Sequence, residues 1–232
     1  MSKIVWDQVG QHYYETGVDH AVLYVYDKTN SRYGTGVAWN GITGVTESPS
    51  GAEATALYAD NIKYLNLIST EEFGATITAY TYPDEFMQCD GSAELGTGVY
   101  IGQQSRAMFA LVYRTVVGND TLNNDYGDKL HIVYNCLASP SEKGYSTIND
   151  SPEAIEFSWE VKTTPVEVTG KKPTASLVID RKKTDSTKLA TIENSLFGTD
   201  PDTTVTPPTE GSAPTLLMPN DIAGILSGNA GG

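Results

Sequence analysis

The chain has 232 residues, two cysteines, 39% hydrophobic and 19% charged residues, and a formal net charge of −14. That length can bury a core without metals or disulfides. The acidity argues against a protein that holds nucleic acid by neutralising phosphates, which needs clustered Lys and Arg, but not against one past which DNA must slide without sticking. No apolar run approaches the roughly 18 residues of a membrane span, so no membrane insertion is expected. With no secretory leader at "MSKIVWDQVG", Cys89 and Cys136 are expected to be reduced thiols in a protein made in the cytosol.

In chain order, the first strand patterns fall at 20–27 and 35–46, in a sequence whose 14 Tyr, 3 Trp and 5 Phe favour pleated, half-buried surfaces. "WNGITGVTESP" reads as a strand whose small side chains allow close backbone approach. "SPSGAEAT" reads as a turn or extended loop. "ALYADNIKYLNL" reads as a hairpin around Ala59–Asn61, with strands at 53–59 and 62–68. A strand at 73–82 leads to "PDEFMQC", a helical turn at 83–89. "GTGVYIG" (96–102) has the wrong spacing for a dinucleotide loop and is followed by strand-like sequence, so it reads as a strand-connecting turn.

"RAMFALVYRTVV" (106–117) and "KLHIVYNCLA" (129–138) are apolar on nearly both faces, the pattern of central strands. The turn-rich "GNDTLNNDYGD" between them predicts a hairpin with a long tip. Its acid order does not match a calcium loop. A strand at 144–149 follows. Then comes "AIEFSWEVK", where Ile155, Phe157, Trp159 and Val161 share one face and Glu156, Ser158, Glu160 and Lys162 the other. After a strand at 174–180, "TDSTKLATIENSLFG" predicts a helix over 185–197, capped by Asp185 or Thr184 and stopped at Gly198. Residues 199–232 hold five of the eleven prolines and no Lys, Arg or aromatic residue. Residues 199–216 read as a Pro/Thr-rich linker. Residues 217–232 read as an arm with a short apolar helix, capped by Asn220, and a disordered end. The organisation expected is thus a β domain over 1–198, a linker and an arm.

No nucleophile elbow, zinc-protease, C-x-x-C or phosphate-loop motif is present, so no catalytic residue, cofactor site or metal site is nominated and no enzyme activity is expected. His131, among apolar neighbours, reads as a satisfied core or interface histidine. The tyrosine-rich strands suit either sugar stacking or a protein interface. Charge is uneven. Residues 45–94 hold nine acids against Lys63 alone, whereas residues 162–188 hold seven of the fifteen bases against three acids. That asymmetry points to head-to-tail association of copies.

The blocks "YETGVDHAVLY", "GVAWNGITGVTESPSGAEATALYADNIKYLNL", "EFGATITAYTYPDEF", "YNCLASPSEKGYSTINDSPEAIEFSWEVKTTPVEV" and "GKKPTAS" resemble the major tail (tail tube) proteins of long-tailed phages, over roughly residues 5–198. The resemblance implies a mainly β, sandwich- or barrel-like unit with one flanking helix, whose inner sheets join into a ring-wide β-barrel in a hexamer. It implies rings stacked into a tube around a tape-measure protein, ended by tail-terminating and baseplate proteins. Double-stranded DNA would pass through without specific binding. The setting implied is the virion tail, assembled in the host bacterial cytoplasm. The tail after Gly198 departs from the pattern, as an expanded linker.

On these grounds Glu47, Glu53, Asp60, Lys63, Lys171, Lys172, Arg181, Ile222, Ile225 and Leu226 are expected at subunit interfaces or the lumen. Alternatives are the tube of a phage-derived bacteriocin or contractile injection device, and a monomeric glycan-binding β-sandwich.

Overall fold

A computed structural model describes residues 3–148, 150, 153–201, 203–204 and 210–228. It is mainly β. A nine-stranded antiparallel sheet carries two separate hairpins and few helices. Strand β1 (Tyr13–Asp27) pairs with β10 (Phe109–Asn119), β10 with β11 (Asn123–Ala138), β11 with β12 (Phe157–Thr163), and β12 with β7 (Gly74–Ala79). Strands β3 (Val37–Trp39) and β4 (Ile42–Glu47) close the roll across a turn at Asn40–Gly41, because β3 pairs with β1 and β4 with β7. Strand β2 (Arg32–Tyr33) pairs with the end of β1, and β13 (Ser176–Asp180) pairs with the middle of β11 over Lys129–Val133.

Two cores result, one on each face of β10. Phe109, Leu111 and Tyr113 point into the roll, while Ala110 and Val112 point outward beneath the helices. Both faces are covered, which is why this stretch lacks a polar alternation. The roll is filled by Trp39, Phe86, Phe109 and Trp159, with Trp39–Phe86 centroids 4.5 Å apart and Phe86–Trp159 centroids 5.0 Å apart. A 3-10 turn at Asp84–Phe86 and helix α1 (Met87–Asp90) cap one end and supply Phe86 and Cys89. Buried Asp90 accepts from Trp159 Nε1–H at 3.1 Å and pairs with Lys143 at 2.5 Å, which pins the 139–148 segment over that end. Both cysteines are buried and unpaired.

The outer core lies under α2 (Ser186–Phe197) and α3 (Pro219–Ser227). Asp185 caps α2 by accepting from the Thr187 and Lys188 amides. The chain after α2 folds back on its own subunit. Thr199 and Ser212 form an isolated bridge, Tyr134 Oη–H donates to the Leu217 carbonyl at 3.0 Å, and Ile222 is 2% exposed. Asn220 does not cap α3. It accepts from the Thr169 amide at 2.8 Å, and Asp221 instead accepts from the Met218 amide at 2.9 Å. Residues 202 and 205–209 of the proline-rich stretch and residues 229–232 lie outside the described residues.

The ladder departs from the sequence reading in five places. The strand expected over 35–46 is split into β3 and β4 by the turn at Asn40–Gly41. Strand β1 begins at Tyr13, seven residues early, with register shifts between Thr16 and Asp19 and between Asp19 and Val22 that disguise its period. The β10–β11 tip is short rather than long, because pairing runs on to Asn119↔Asn123. Asn119 Oδ1 closes it by accepting from the Leu122 amide at 2.7 Å. Cross-strand pairing there outweighs the turn propensity of Asn and Asp. A hairpin of β8 (Ala93–Gly96) and β9 (Val99–Ile101) flanks the Thr97–Gly98 turn. Residues 144–148 form no strand.

Candidate assembly surfaces

Beyond the roll, β10 and β11 continue as a four-stranded extension in the order β1, β10, β11, β13. One face carries the rows Tyr113, His131, Val178 and Thr115, Lys129, Asp180. The row Arg114, Leu130, Ile179 lies between them on the opposite face, which receives the helices. On the polar face, Glu15 of β1 pairs with Lys129 and accepts from Thr115 Oγ1–H at 2.5 Å. Gly118 lets the Tyr14 ring lie across β10, since a Cβ there would meet that ring.

Among the described residues, both outer edges of this extension are unpaired: β1 over Tyr13–His20, and β13. The phase on β13 follows from two bonds. The Tyr134 amide donates to the Ala175 carbonyl, and the Arg181 amide donates to the Asp128 carbonyl. Antiparallel pairs alternate, so Leu177 and Ile179 bond to β11 while the Val178 N–H and C=O point away from the subunit. Val178 is 52% exposed.

The second surface is the hairpin of β5 (Ala54–Ala59) and β6 (Ile62–Ile68), a two-stranded sheet of its own. Asp60 and Asn61 both have positive φ (50° and 62°), the two-residue turn that matches strand twist. Tyr58, Ile62, Tyr64 and Ile68 are 65–72% exposed, and Leu57 and Leu65 are 41% and 39% exposed. Leu57, Leu65 and Ile62 lie on one face and Tyr58 and Ile68 on the other, so both faces expose apolar side chains. A lone hairpin is marginal in water, and apolar surface left exposed in this way suits an interaction site. At the root, the Ser48 amide donates to the Gly74 carbonyl, and Gly51 (φ 83°) packs against the Thr70 carbonyl where no Cβ would fit.

Charges inside the subunit form one chain across the extension. Arg114 grips both oxygens of Asp19 at 2.7 Å and reaches Asp128 at 3.3 Å; Arg181 pairs with Asp128 and, at 2.5 Å, with Glu193 of α2. The Arg114 guanidinium holds the Asp19 carboxyl at about 2, below its ordinary 3.8.

The ten residues expected at interfaces are scattered. Glu47 ends β4 and accepts from Tyr113 Oη–H at 2.9 Å. Glu53, Asp60 and Lys63 lie on or beside the hairpin arm, all exposed. Lys171 and Lys172 are exposed in the loop before β13. Arg181 is engaged within the subunit. Ile222 and Ile225 pack on their own outer core, and Leu226 is 43% exposed. Sequence reading missed the β1 edge with Glu15, and the exposed apolar run of Ile4, Val5, Trp6 and Val9 before it. The signal for the edge was "YYETG", where an alternation is cut by Gly17. No described helix is long and apolar enough to cross a membrane. No group of three or more His, Cys, Asp or Glu among the described residues is placed to share a metal ion.

No family model matches the chain, and no curated protein matches it. Among solved structures, the chain is similar to one from the baseplate of the anti-feeding prophage (9% identity, 78% of this chain and 99% of that chain, TM-score 0.36). It is also similar to one from the sheath–tube complex of the extracellular contractile injection system PVC in its extended state (10% identity, 76% and 94%, TM-score 0.31).

Proposed function

We propose that this chain is a structural subunit that joins head-to-tail with copies of itself, the β13 edge of one subunit beside the β1 edge of the next. Six copies would close into a ring, and rings would stack into the tube of a phage tail. The observation that carries this reading is the pair of open edges on opposite sides of one four-stranded sheet. Unpaired edges left in solution invite uncontrolled pairing, and closure into a ring removes them. Two different edges meeting make a heterologous contact, the kind that generates rings. The exposed hairpin arm then contacts the neighbouring ring. The acid-rich arm region and the lysines of the 162–188 region are complementary in charge. The tape-measure, terminating and baseplate proteins would be its partners in the virion tail, assembled in the host bacterial cytoplasm. No enzymatic step and no cofactor is part of the role.

The decisive experiment is Val178→Pro. The proline removes an N–H that its own subunit does not use. The variant should keep the wild-type melting temperature within a few degrees and yield only 25.0 kDa monomers by light scattering, where the wild type yields rings or tubes under negative stain. Tubes of normal width from the variant would overturn the reading, and so would a strictly monomeric wild type with a saturable sugar site. A conduit for DNA benefits from an acidic wall that does not hold its cargo. Charge reversal of Glu47, Glu53 and Asp60 to Lys should slow DNA delivery by assembled particles in a salt-dependent way. A tube from a phage-derived injection device would use the same edges, and the presence or absence of packaged DNA separates the two.

A further inference from the structure

His131 of β11 packs where the roll meets the extension, opposite Tyr113 of β10. Its side chain is 12% exposed, and its ring lies flat on Tyr113 with centroids 4.7 Å apart and planes 4° apart. The hydrogen bonds settle its tautomer. The Thr115 hydroxyl hydrogen goes to Glu15 Oε1, which can only accept, so the Thr115 oxygen accepts from His131 Nε2–H at 2.8 Å. In the neutral ring Nδ1 is therefore a bare lone pair. It is sealed from solvent and has no hydrogen-bond partner. The nearest carboxylate, Glu47 Oε1, stands 3.8 Å away and is held by Tyr113 Oη–H at 2.9 Å. A bare acceptor facing another acceptor has nothing to bond until a proton arrives.

We propose that Glu47 exchanges Tyr113 for His131 Nδ1 when His131 takes up a proton, and that this exchange shifts the root of the β5–β6 hairpin. A movement of about 1 Å brings the carboxylate to charge-assisted hydrogen-bond distance. Glu47 is the group free to make it, because its side chain is 43% exposed whereas Tyr113 is 2% exposed. Glu47 is also the last residue of β4, directly before Ser48, whose amide fastens the arm to Gly74. The other groups facing the ring are already engaged. Glu15 of β1, 3.5 Å from Nε2, is bound by Lys129 of β11; on β13 the residue opposite His131 is the uncharged Val178, and Asp180 in the next row is held by Lys183 at 2.9 Å.

Burial pushes the imidazole below its ordinary 6.5 against the pull of Glu47 and Glu15. The unfolded chain therefore protonates first as pH falls. The stability this group contributes is full above about 6.5 and is lost on acidification through its folded value. The proton is accommodated only by rearrangement.

The test is an NMR titration of the His131 ring, with backbone hydrogen exchange at 45–54 and 69–75, from about pH 7.5 to about pH 5. Both readouts report on the single subunit, so they stand or fall whether or not rings form. His131 should titrate below 6.5, Glu47→Gln should lower that midpoint further, and protection at Ser48 and Ser50 should change several-fold with pH in the wild type only. His131→Gln should abolish the change. An unshifted midpoint in Glu47→Gln, or the same pH response at the root with and without His131, would overturn the proposal. If His131→Gln fails to fold, Glu47→Gln decides alone, since it removes only a half-exposed carboxylate.

Discussion

Phe109, Leu111 and Tyr113 of β10 point into a packed aromatic core; one step further along the same strand, Thr115 faces Glu15, Lys129 and His131. The roll and the extension are made of the same strands, yet they solve the burial problem in opposite ways. The roll closes its ladder through the β3–β4 corner and satisfies its polar groups internally, down to Asp90 beneath Trp159. The extension and the hairpin arm leave edges unpaired and large apolar side chains in water. The first arrangement is what a lone subunit needs to fold. The second is what a subunit needs when part of its fold is completed by other copies.

Variants test how sharp that division is. Trp159→Ala, in the roll, should be the most damaging, at about 3–5 kcal/mol by chemical denaturation, because it opens a large cavity. It also strips the buried Asp90 of a donor. Tyr134→Phe, on the outer core, should cost about 1 kcal/mol. It should release the C-terminal arm first, visible as faster exchange around Leu217. Acid should act next on the extension. Asp19 is depressed to about 2 from 3.8 by Arg114, so its contribution is present above about 3.8 and lost as pH falls toward 2. Solvent limits it to about 1 kcal/mol or less, since Asp19 is 42% exposed. Arg114→Met should flatten that acid limb of the melting curve. Smallest of all for the subunit is Ala54→Trp on the hairpin arm, within about 0.5 kcal/mol of wild type, while tube growth in negative-stain images stops. Equal damage to folding from Trp159→Ala and Ala54→Trp would erase the distinction.

Much of this was legible in the chain. The alternation of Phe157, Trp159 and Val161, the two-faced apolar runs in β10 and β11, the Asp185-capped helix and the Asp60–Asn61 turn are local patterns, and each appears where its period put it. Patterns broken by bulges were harder to read. The positive φ at His20 and Asn135 accompanies register shifts that flip side chains between faces, so β1 was seen only in its second half. Of the expected interface residues, Glu53, Asp60 and Lys63 fall together because they neighbour one hairpin. Arg181 and Ile222 are expected at a subunit interface or the lumen, yet partners within their own subunit occupy them.

The sequence by itself determined the β-rich class, the strand periods, the helices, the acidity and the phage-tail resemblance, because these depend on side chains a few residues apart. Only the tertiary structure decided which edges stay open, that the arm after α2 returns to its own subunit, and that His131, Glu47, Tyr113 and Glu15 meet. Those facts depend on which strands lie side by side. The β10–β11 hairpin had to be joined by strands far away in sequence before an edge or a bare ring nitrogen could be recognised.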